Sequence, residues 1–251
     1  DGYASLDNDY FVVESDEFNR HFTAYHPTYA IITNIEREHM ECYKDIDDIT
    51  NTFEIFANNK SKFIVANGDN TEVRKINYKP KVMFYGFGFN NDAVIKNMKL
   101  DSDASRFDLY IKEELYGSFE VPLFGKHMVS DAVAAILICR HIGIEKEVIY
   151  NALKTFKNAK RRFAISRVGR TIIVDDYAHH PTEIKSTLEA VRQRFPDKRV
   201  VVVFKPNTYS RTIDFKDDFI DALNVADKAF LTEIDCNREK QEDYPGVSSQ
   251  I

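Results

Sequence analysis

Two acids, a tyrosine and two histidines are concentrated in Asp175-Asp176-Tyr177-Ala178-His179-His180-Pro181. The segment follows an apolar β-type run, Thr171–Val174, and precedes a helical pattern that opens at Pro181. In open α/β sheets ligands bind where the carboxyl ends of strands give way to helices. A turn that only reverses the chain more often carries Gly, Asn or Ser. The residue types here therefore point to a functional turn.

A second cluster lies far upstream. Glu14 ends the β-type run Tyr10-Phe11-Val12-Val13, and His39 follows the next run, Tyr29–Thr33. Strand ends of a parallel sheet face one crevice, so a carboxylate and an imidazole could converge there on a divalent ion. Mg²⁺ prefers oxygen, takes few protein ligands and completes its shell with water and substrate phosphates. Asp16, Glu17, Glu36 and Glu38 surround the pair. Such acidity either holds a cation or is simply solvated.

Three further segments could carry chemistry. Lys160-Arg161-Arg162 offers guanidinium forks suited to phosphate oxygens, or is a solvated linker. Lys205-Pro206-Asn207-Thr208-Tyr209-Ser210-Arg211-Thr212 follows an apolar strand. There Arg211 could take a carboxylate bidentately, or Ser210 or Thr212 merely caps the next helix. Gly125 before His127 lets a phosphate or ring approach a helix start. No GxxxxGK[ST] phosphate-binding loop occurs in the 251 residues.

Strand-like and helix-like segments alternate to position these residues. Apolar β runs at Phe63–Ala66 and Lys81–Tyr85 flank a helical pattern near 46–58 with Ile46, Ile49, Phe53 and Phe56 on one face. This order implies a parallel sheet with crossover helices. Residues 93–121 alternate apolar and polar side chains, as in an antiparallel ribbon. Helices are expected at about 127–141, 145–156, 181–194 and 214–224, with strands at 163–167, 171–174, 200–204 and 228–232. Val200-Val201-Val202-Val203-Phe204 reads as a strand buried on both faces. The polar break at 157–162 divides the chain into domains 1–158 and 159–251.

Net charge is −6, which does not favour nucleic acid. No apolar run approaches the length of a membrane span. Cys42, Cys139 and Cys236 form no CxxC pair and read as reduced thiols of a cytoplasmic protein.

Taken in order, several segments resemble the Mur ligases. They are Phe11–Glu17, Thr33-Asn34-Ile35-Glu36-Arg37-Glu38-His39-Met40, Gly125-Lys126-His127, Lys160-Arg161-Arg162-Phe163, Val174–Pro181, and Phe204-Lys205-Pro206 with Ser210-Arg211-Thr212. Within the family they look most like the branch that joins L-alanine to UDP-N-acetylmuramate. The resemblance implies an α/β chain holding part of a central ATPase domain, then part of a Rossmann-like C-terminal domain. It places the phosphate-binding loop and the UDP-binding domain upstream of Asp1 and implies no activity for this stretch alone.

The resemblance also implies ATP and Mg²⁺ as cofactors, a cytoplasmic location and a role in peptidoglycan synthesis. UDP-N-acetylmuramate and L-alanine would be the substrates, with neither nucleic acid nor membrane as partner. Glu14 and His39 would be metal ligands, and Arg162 would reach ATP phosphates. Asp176 and Tyr177 would hold the nucleotide, and His127 and His180 would line its cleft. Arg211 would bind a carboxylate. Asn207 departs from a usual His, Met128 from an Asn, and Asp131 stands where Asn is common. A muropeptide-recycling ligase and a non-catalytic nucleotide-binding module are the alternative readings.

Overall fold

The structure is a computed structural model that describes residues 9–235 and 239–249, so Cys236 lies outside the described residues. The chain alternates through β1 (Tyr29–Ile32), α1 (Ile46–Ala57), β2 (Phe63–Asn67), α2 (Thr71–Lys75) and β3 (Lys81–Gly86). β1 and β3 each pair with β2 in parallel, with Ile31↔Val65 and Val65↔Met83 in register. Local chemistry starts the helices. Asp45 accepts the Asp48 N–H at 2.9 Å, and Asp47 and Asp48 put negative charge in the first turn of α1. Asn70 caps α2 in the same way through the Val73 N–H. Ile49 and Phe56 of α1 are buried, and Ile46 and Phe53 pack against the same core.

The ribbon consists of β4 (Ala93–Leu100), β5 (Ser105–Ile111) and β6 (Glu114–Val121). The links between them, 101–104 and 112–113, have hairpin length, which suits antiparallel neighbours. On β5, Ser105, Phe107, Leu109 and Ile111 are buried, and the residues between them are not. The ribbon continues the parallel strands in one sheet of order β1-β2-β3-β4-β5-β6. Two helices follow, α3 (Lys126–His141) and α4 (Lys146–Lys154). Val129, Val133, Ile136 and Leu137 of α3 are buried, as their spacing predicts.

The last part contains β7 (Ala164–Val168), β8 (Thr171–Asp175), α5 (Pro181–Arg194) and β9 (Val201–Phe204). It ends with α6 (Tyr209–Asp214), α7 (Lys216–Leu223) and β10 (Lys228–Leu231). β9 and β10 are parallel and joined through α6 and α7. Ile184, Leu188, Phe204, Phe215 and Phe219 form their core. The chain is thus α/β, with a mostly parallel sheet, an antiparallel ribbon and a smaller Rossmann-like portion. Among the described residues no helix is long and apolar enough to cross a membrane. Cys42 and Cys139 are half-buried free thiols.

Four expectations need correction. Tyr10–Val13 is not a strand, and Phe11 and Val12 are 81% and 91% exposed. A β-type run becomes a strand only where its N–H and C=O groups find a ladder. β8 pairs only with β7 among the described residues, as an antiparallel hairpin closed at Gly169, whose φ of +58° suits the tight turn. The Asp175–Pro181 turn therefore ends a hairpin rather than a strand of an open parallel sheet. Val201 and Val203 are 47% and 69% exposed, so β9 is covered on one face only. The similar run Phe63–Ala66 is buried on both faces, because Ile64 and Ala66 pack in the core with α1 and Phe63 stacks on His141 at 3.6 Å between ring centres. Finally, the helix expected near 214–224 begins earlier, as α6 at Tyr209, and is broken at Phe215 before α7.

By packing, the chain forms two compact units. The first comprises Asp1–Ile95, Tyr110–Glu114 and Ala134–Ile142, and the second Lys96–Leu109, Leu115–Val133 and Gly143–Ile251.

Candidate active site

In the first unit, Glu14 is exposed on an irregular stretch. His39 is half-buried with φ at +56°, and its backbone carbonyl accepts the Cys42 N–H at 2.8 Å and the Tyr43 N–H at 3.1 Å. The carboxylate nearest its ring is Glu17, 3.3 Å from Nε2, and Glu38 and Glu41 each stand 3.8 Å from Nδ1. Glu14 is not among these ion-pair partners. Burial disfavours the imidazolium, but the Glu17 hydrogen bond and the charges of Glu38, Glu17 and Glu41 outweigh it and raise the His39 pKa.

A clamp that no local spacing announces holds Glu17 in place. The Arg20 guanidinium donates to Asp48 at 2.6 Å and to Thr52 at 2.7 Å, and lies 4.9 Å from the Tyr43 ring centre. The Tyr43 hydroxyl donates to the Glu17 carbonyl at 2.5 Å. Burial, the largest influence, pushes that phenol up to about 12, so it stays a donor at neutral pH. The carboxylates suit a hard divalent cation, and the imidazole is the one nitrogen donor among them. Among the described residues no group of three such side chains is arranged to hold a metal alone. Water and substrate phosphates would have to supply the rest of the shell.

In the second unit the Asp176 turn and the basic segment meet. Asp176 accepts the Phe163 N–H at 2.7 Å and the Ala178 N–H at 2.8 Å. The Tyr177 N–H donates to the Arg161 carbonyl at 2.9 Å. The guanidinium carbons of Arg161 and Arg162 lie 5.1 and 5.8 Å from the Tyr177 ring centre. Arg161 and Arg162 are thus bound into the turn. His180 is the N-cap of α5, where its Nδ1 accepts the Thr182 N–H at 3.3 Å and Glu183 reaches back to the His180 N–H. That bond commits Nδ1 to the helix.

His127 stands in the first turn of α3, packed on Gly125. A Cβ at residue 125 would lie 2.6 Å from the imidazole, and its φ of +96° also favours glycine. Burial lowers the His127 pKa, against the nearby charges of Asp176, Glu189 and Glu183. The ring is therefore neutral near pH 7 and faces the acidic side of the Asp176 turn and α5. Met128 and Asp131 follow on α3, where desolvation pushes the Asp131 carboxyl up to about 6.

Arg211 lies inside α6, half-buried, and donates to the Asn207 carbonyl at 3.4 Å. Neither Ser210 nor Thr212 caps this helix. Thr212 bonds back to the Thr208 carbonyl at 2.7 Å, and Ser210 donates to Glu239. Glu239 also accepts the Tyr209 N–H at 2.5 Å and the Ser210 N–H at 3.1 Å. Nothing in the local spacing announces a cap that arrives about thirty residues later.

The chain also matches known proteins. The Mur ligase middle domain matches residues 4–139, and the Mur ligase glutamate ligase domain matches residues 161–249. UDP-N-acetylmuramate–L-alanine ligase of Lactococcus lactis subsp. cremoris (strain SK11) is 42% identical over 233 residues, which are 93% of this chain and 53% of that protein. The same ligase of Ligilactobacillus salivarius is 44% identical over 225 residues, 90% of this chain and 51% of that protein. The chain thus spans about half the length of the curated relatives it matches. Among solved structures, UDP-N-acetylmuramate-alanine ligase from Thermotoga maritima aligns with a TM-score of 0.72 at 23% identity, over 86% of this chain and 48% of that one. A MurF ligase from the same organism, solved in complex with ADP, aligns with a TM-score of 0.68 at 20% identity, over 82% and 48%. These two structures share the fold, and the middle-domain match covers more than half of the residues, so the chain belongs to the Mur ligase family.

Proposed function

We propose that this chain forms part of an ATP- and Mg²⁺-dependent ligase that joins L-alanine to UDP-N-acetylmuramate in the cytoplasm, a step of peptidoglycan synthesis. The observation that carries the reading is the 42–44% identity to such ligases over at least 90% of the chain. In this reading residues 1–158 belong to the central ATPase domain and 159–251 to the C-terminal domain, with the basic segment as the hinge.

The reaction has two steps. A carboxylate oxygen of UDP-N-acetylmuramate attacks the γ-phosphorus of ATP, and ADP leaves. The L-alanine amine then attacks the acyl carbon, gives up a proton and expels phosphate, leaving an amide. Mg²⁺, when bound, neutralises charge between the anionic reactants. Glu14 and His39 would hold it, with Glu17 orienting the imidazole. Arg162, stacked near Tyr177, would meet ATP phosphates. Asp176 fixes the turn that presents Tyr177, and neutral His127 would bind the nucleotide. His180 acts from the same cleft wall by holding α5. Arg211 would take the carboxylate of the incoming amino acid.

The test uses a longer protein that supplies a phosphate-binding loop. Phosphate release from ATP should then require both UDP-N-acetylmuramate and L-alanine, and a tripeptide should not replace L-alanine. Release with the tripeptide alone would favour a muropeptide ligase. The 251-residue chain by itself should release none, because it has no GxxxxGK[ST] segment.

A further inference from the structure

Gln193 stands near the carboxyl end of α5. Its carboxamide joins three segments. Oε1 accepts the Gly125 N–H at 2.6 Å, and Nε2 donates to the Asp101 carbonyl at 3.0 Å and meets Ser105 Oγ at 3.1 Å. Ser105 is buried, and its hydroxyl donates to the Leu123 carbonyl at 2.6 Å. Ser105 Oγ is therefore free to accept from Gln193. The neighbouring Arg194 donates to the Ser102 carbonyl and lies 5.1 Å from the Phe124 ring centre. Two consecutive residues of α5 thus grip the 101–105 link and the 123–125 approach to α3.

Only a primary amide can do what Gln193 does. It presents an acceptor and two donors at one end of a flexible stem. Glutamate would keep the acceptor and lose both donors, and lysine would do the reverse. The bond it makes to Gly125 matters because Gly125 carries the His127 ring. The imidazole packs where a Cβ of residue 125 would stand, and Ala190, one helical turn before Gln193, closes the other side at 3.1 Å. His127 Nδ1 is buried there with no hydrogen-bond partner. Whatever fixes the Gly125 peptide therefore fixes the histidine.

We propose that Gln193 is a positioning residue that holds the Gly125–His127 turn in the geometry that receives the nucleotide. The nucleotide part rests on the function proposed above. The positioning part does not. The positioning part is tested on the 251-residue chain and the nucleotide part on a longer protein. Hydrogen exchange at the Gly125 amide should speed up about tenfold in Gln193→Ala, the loss of one hydrogen bond. Gln193→Glu should keep Gly125 protected and loosen only 101–105. The His127 ring-proton NMR signals should move in Gln193→Ala and return towards their original positions in Gln193→Glu. In a longer protein that supplies a phosphate-binding loop, ADP followed by calorimetry should bind Gln193→Ala several-fold more weakly, and the Glu variant should recover part of the loss. If Gln193→Ala does not fold, Gln193→Met takes its place, because it keeps the stem but removes the oxygen that accepts the Gly125 N–H and should loosen the same turn. Unchanged Gly125 exchange and unchanged His127 signals in a folded variant would overturn the proposal. If the longer protein binds ADP equally well with and without Gln193→Ala while exchange and ring signals respond as stated, the nucleotide reading fails and the positioning role stands.

Discussion

Two strand-to-helix junctions lie within forty residues of each other, and they are held in different ways. At the start of α5 the cap is local. His180 accepts the Thr182 N–H, and Glu183 accepts the N–H groups of His179 and His180 at 2.9 and 3.1 Å. At the start of α6 the N-cap residue, Thr208, has φ at +65° and makes no side-chain cap bond. The carboxylate of Glu239 arrives from a later segment and takes the Tyr209 and Ser210 N–H groups instead. Both solutions satisfy the same orphan donors. The first can be read from a run of four residues. The second ties the carboxylate-binding candidate, Arg211, to the placement of the chain near residue 239.

The comparison breaks hardest at Asp176. Its two oxygens hold backbone on both sides of the first junction, so Asp176→Ala should cost about 2–4 kcal/mol of stability. Urea denaturation of the 251-residue chain measures it. Asp176→Asn should lose roughly half as much, since one acceptor remains. Equal losses would mean that charge rather than the paired acceptors holds the turn.

In a longer, active protein the junctions should separate by substrate. Arg211→Ala should raise the KM for L-alanine or for the UDP-linked carboxylate about tenfold to a hundredfold, the loss of a charge-assisted pair. The KM for ATP should move far less, and Arg162→Ala should show the opposite pattern. Small, equal effects of Arg211→Ala on every substrate would reduce it to a helix residue bonded to the Asn207 carbonyl.

The caps themselves rank next. Glu239→Ala should cost about 1–2 kcal/mol and Glu183→Ala about 1 kcal/mol. Only the first should also expose residues 240–249 to limited proteolysis, because only that carboxylate joins distant segments. Faster cleavage there in Glu183→Ala would remove the distinction between the junctions.

The same distinction accounts for what the sequence made legible. Periodicity located α1, α3 and α5, because each presents an apolar face within its own residues. It placed β1, β2 and β3 for a similar reason. It did not place Tyr10–Val13, because a ladder needs a partner that the run itself does not reveal. It overrated Val201 and Val203, because burial on a second face depends on what packs there. At the site, residue types singled out Asp176, Tyr177, His127 and Arg162, which the fold brings into one neighbourhood of the second unit. The carboxylate beside His39 is Glu17, seen in the sequence only as part of an acidic surround. Arg20, Gln193 and Glu239 were not legible at all. Each acts on a segment about twenty or more residues away, and no local spacing encodes that.

The smallest expected effect lies on α3, between the nucleotide candidate His127 and the buried face of the helix. Desolvation pushes the Asp131 carboxyl up from 3.8 to about 6. A carboxyl raised on folding binds its proton more tightly in the folded chain than in the unfolded one. Stability is therefore greatest below the unfolded value and falls as pH rises from about 4 to about 6, after which the ionised carboxylate remains a cost. Asp131→Asn removes that cost. The full shift would correspond to about 3 kcal/mol, but the residue is exposed to solvent, and screening leaves about 0.5–1 kcal/mol at neutral pH. Thermal melts of the two proteins across pH measure it. The asparagine variant should melt higher at about pH 7, and the gap should close by about pH 4. A gap of the same size at both pH values would assign the gain to amide packing, and no gap at either would place Asp131 in ordinary solvent.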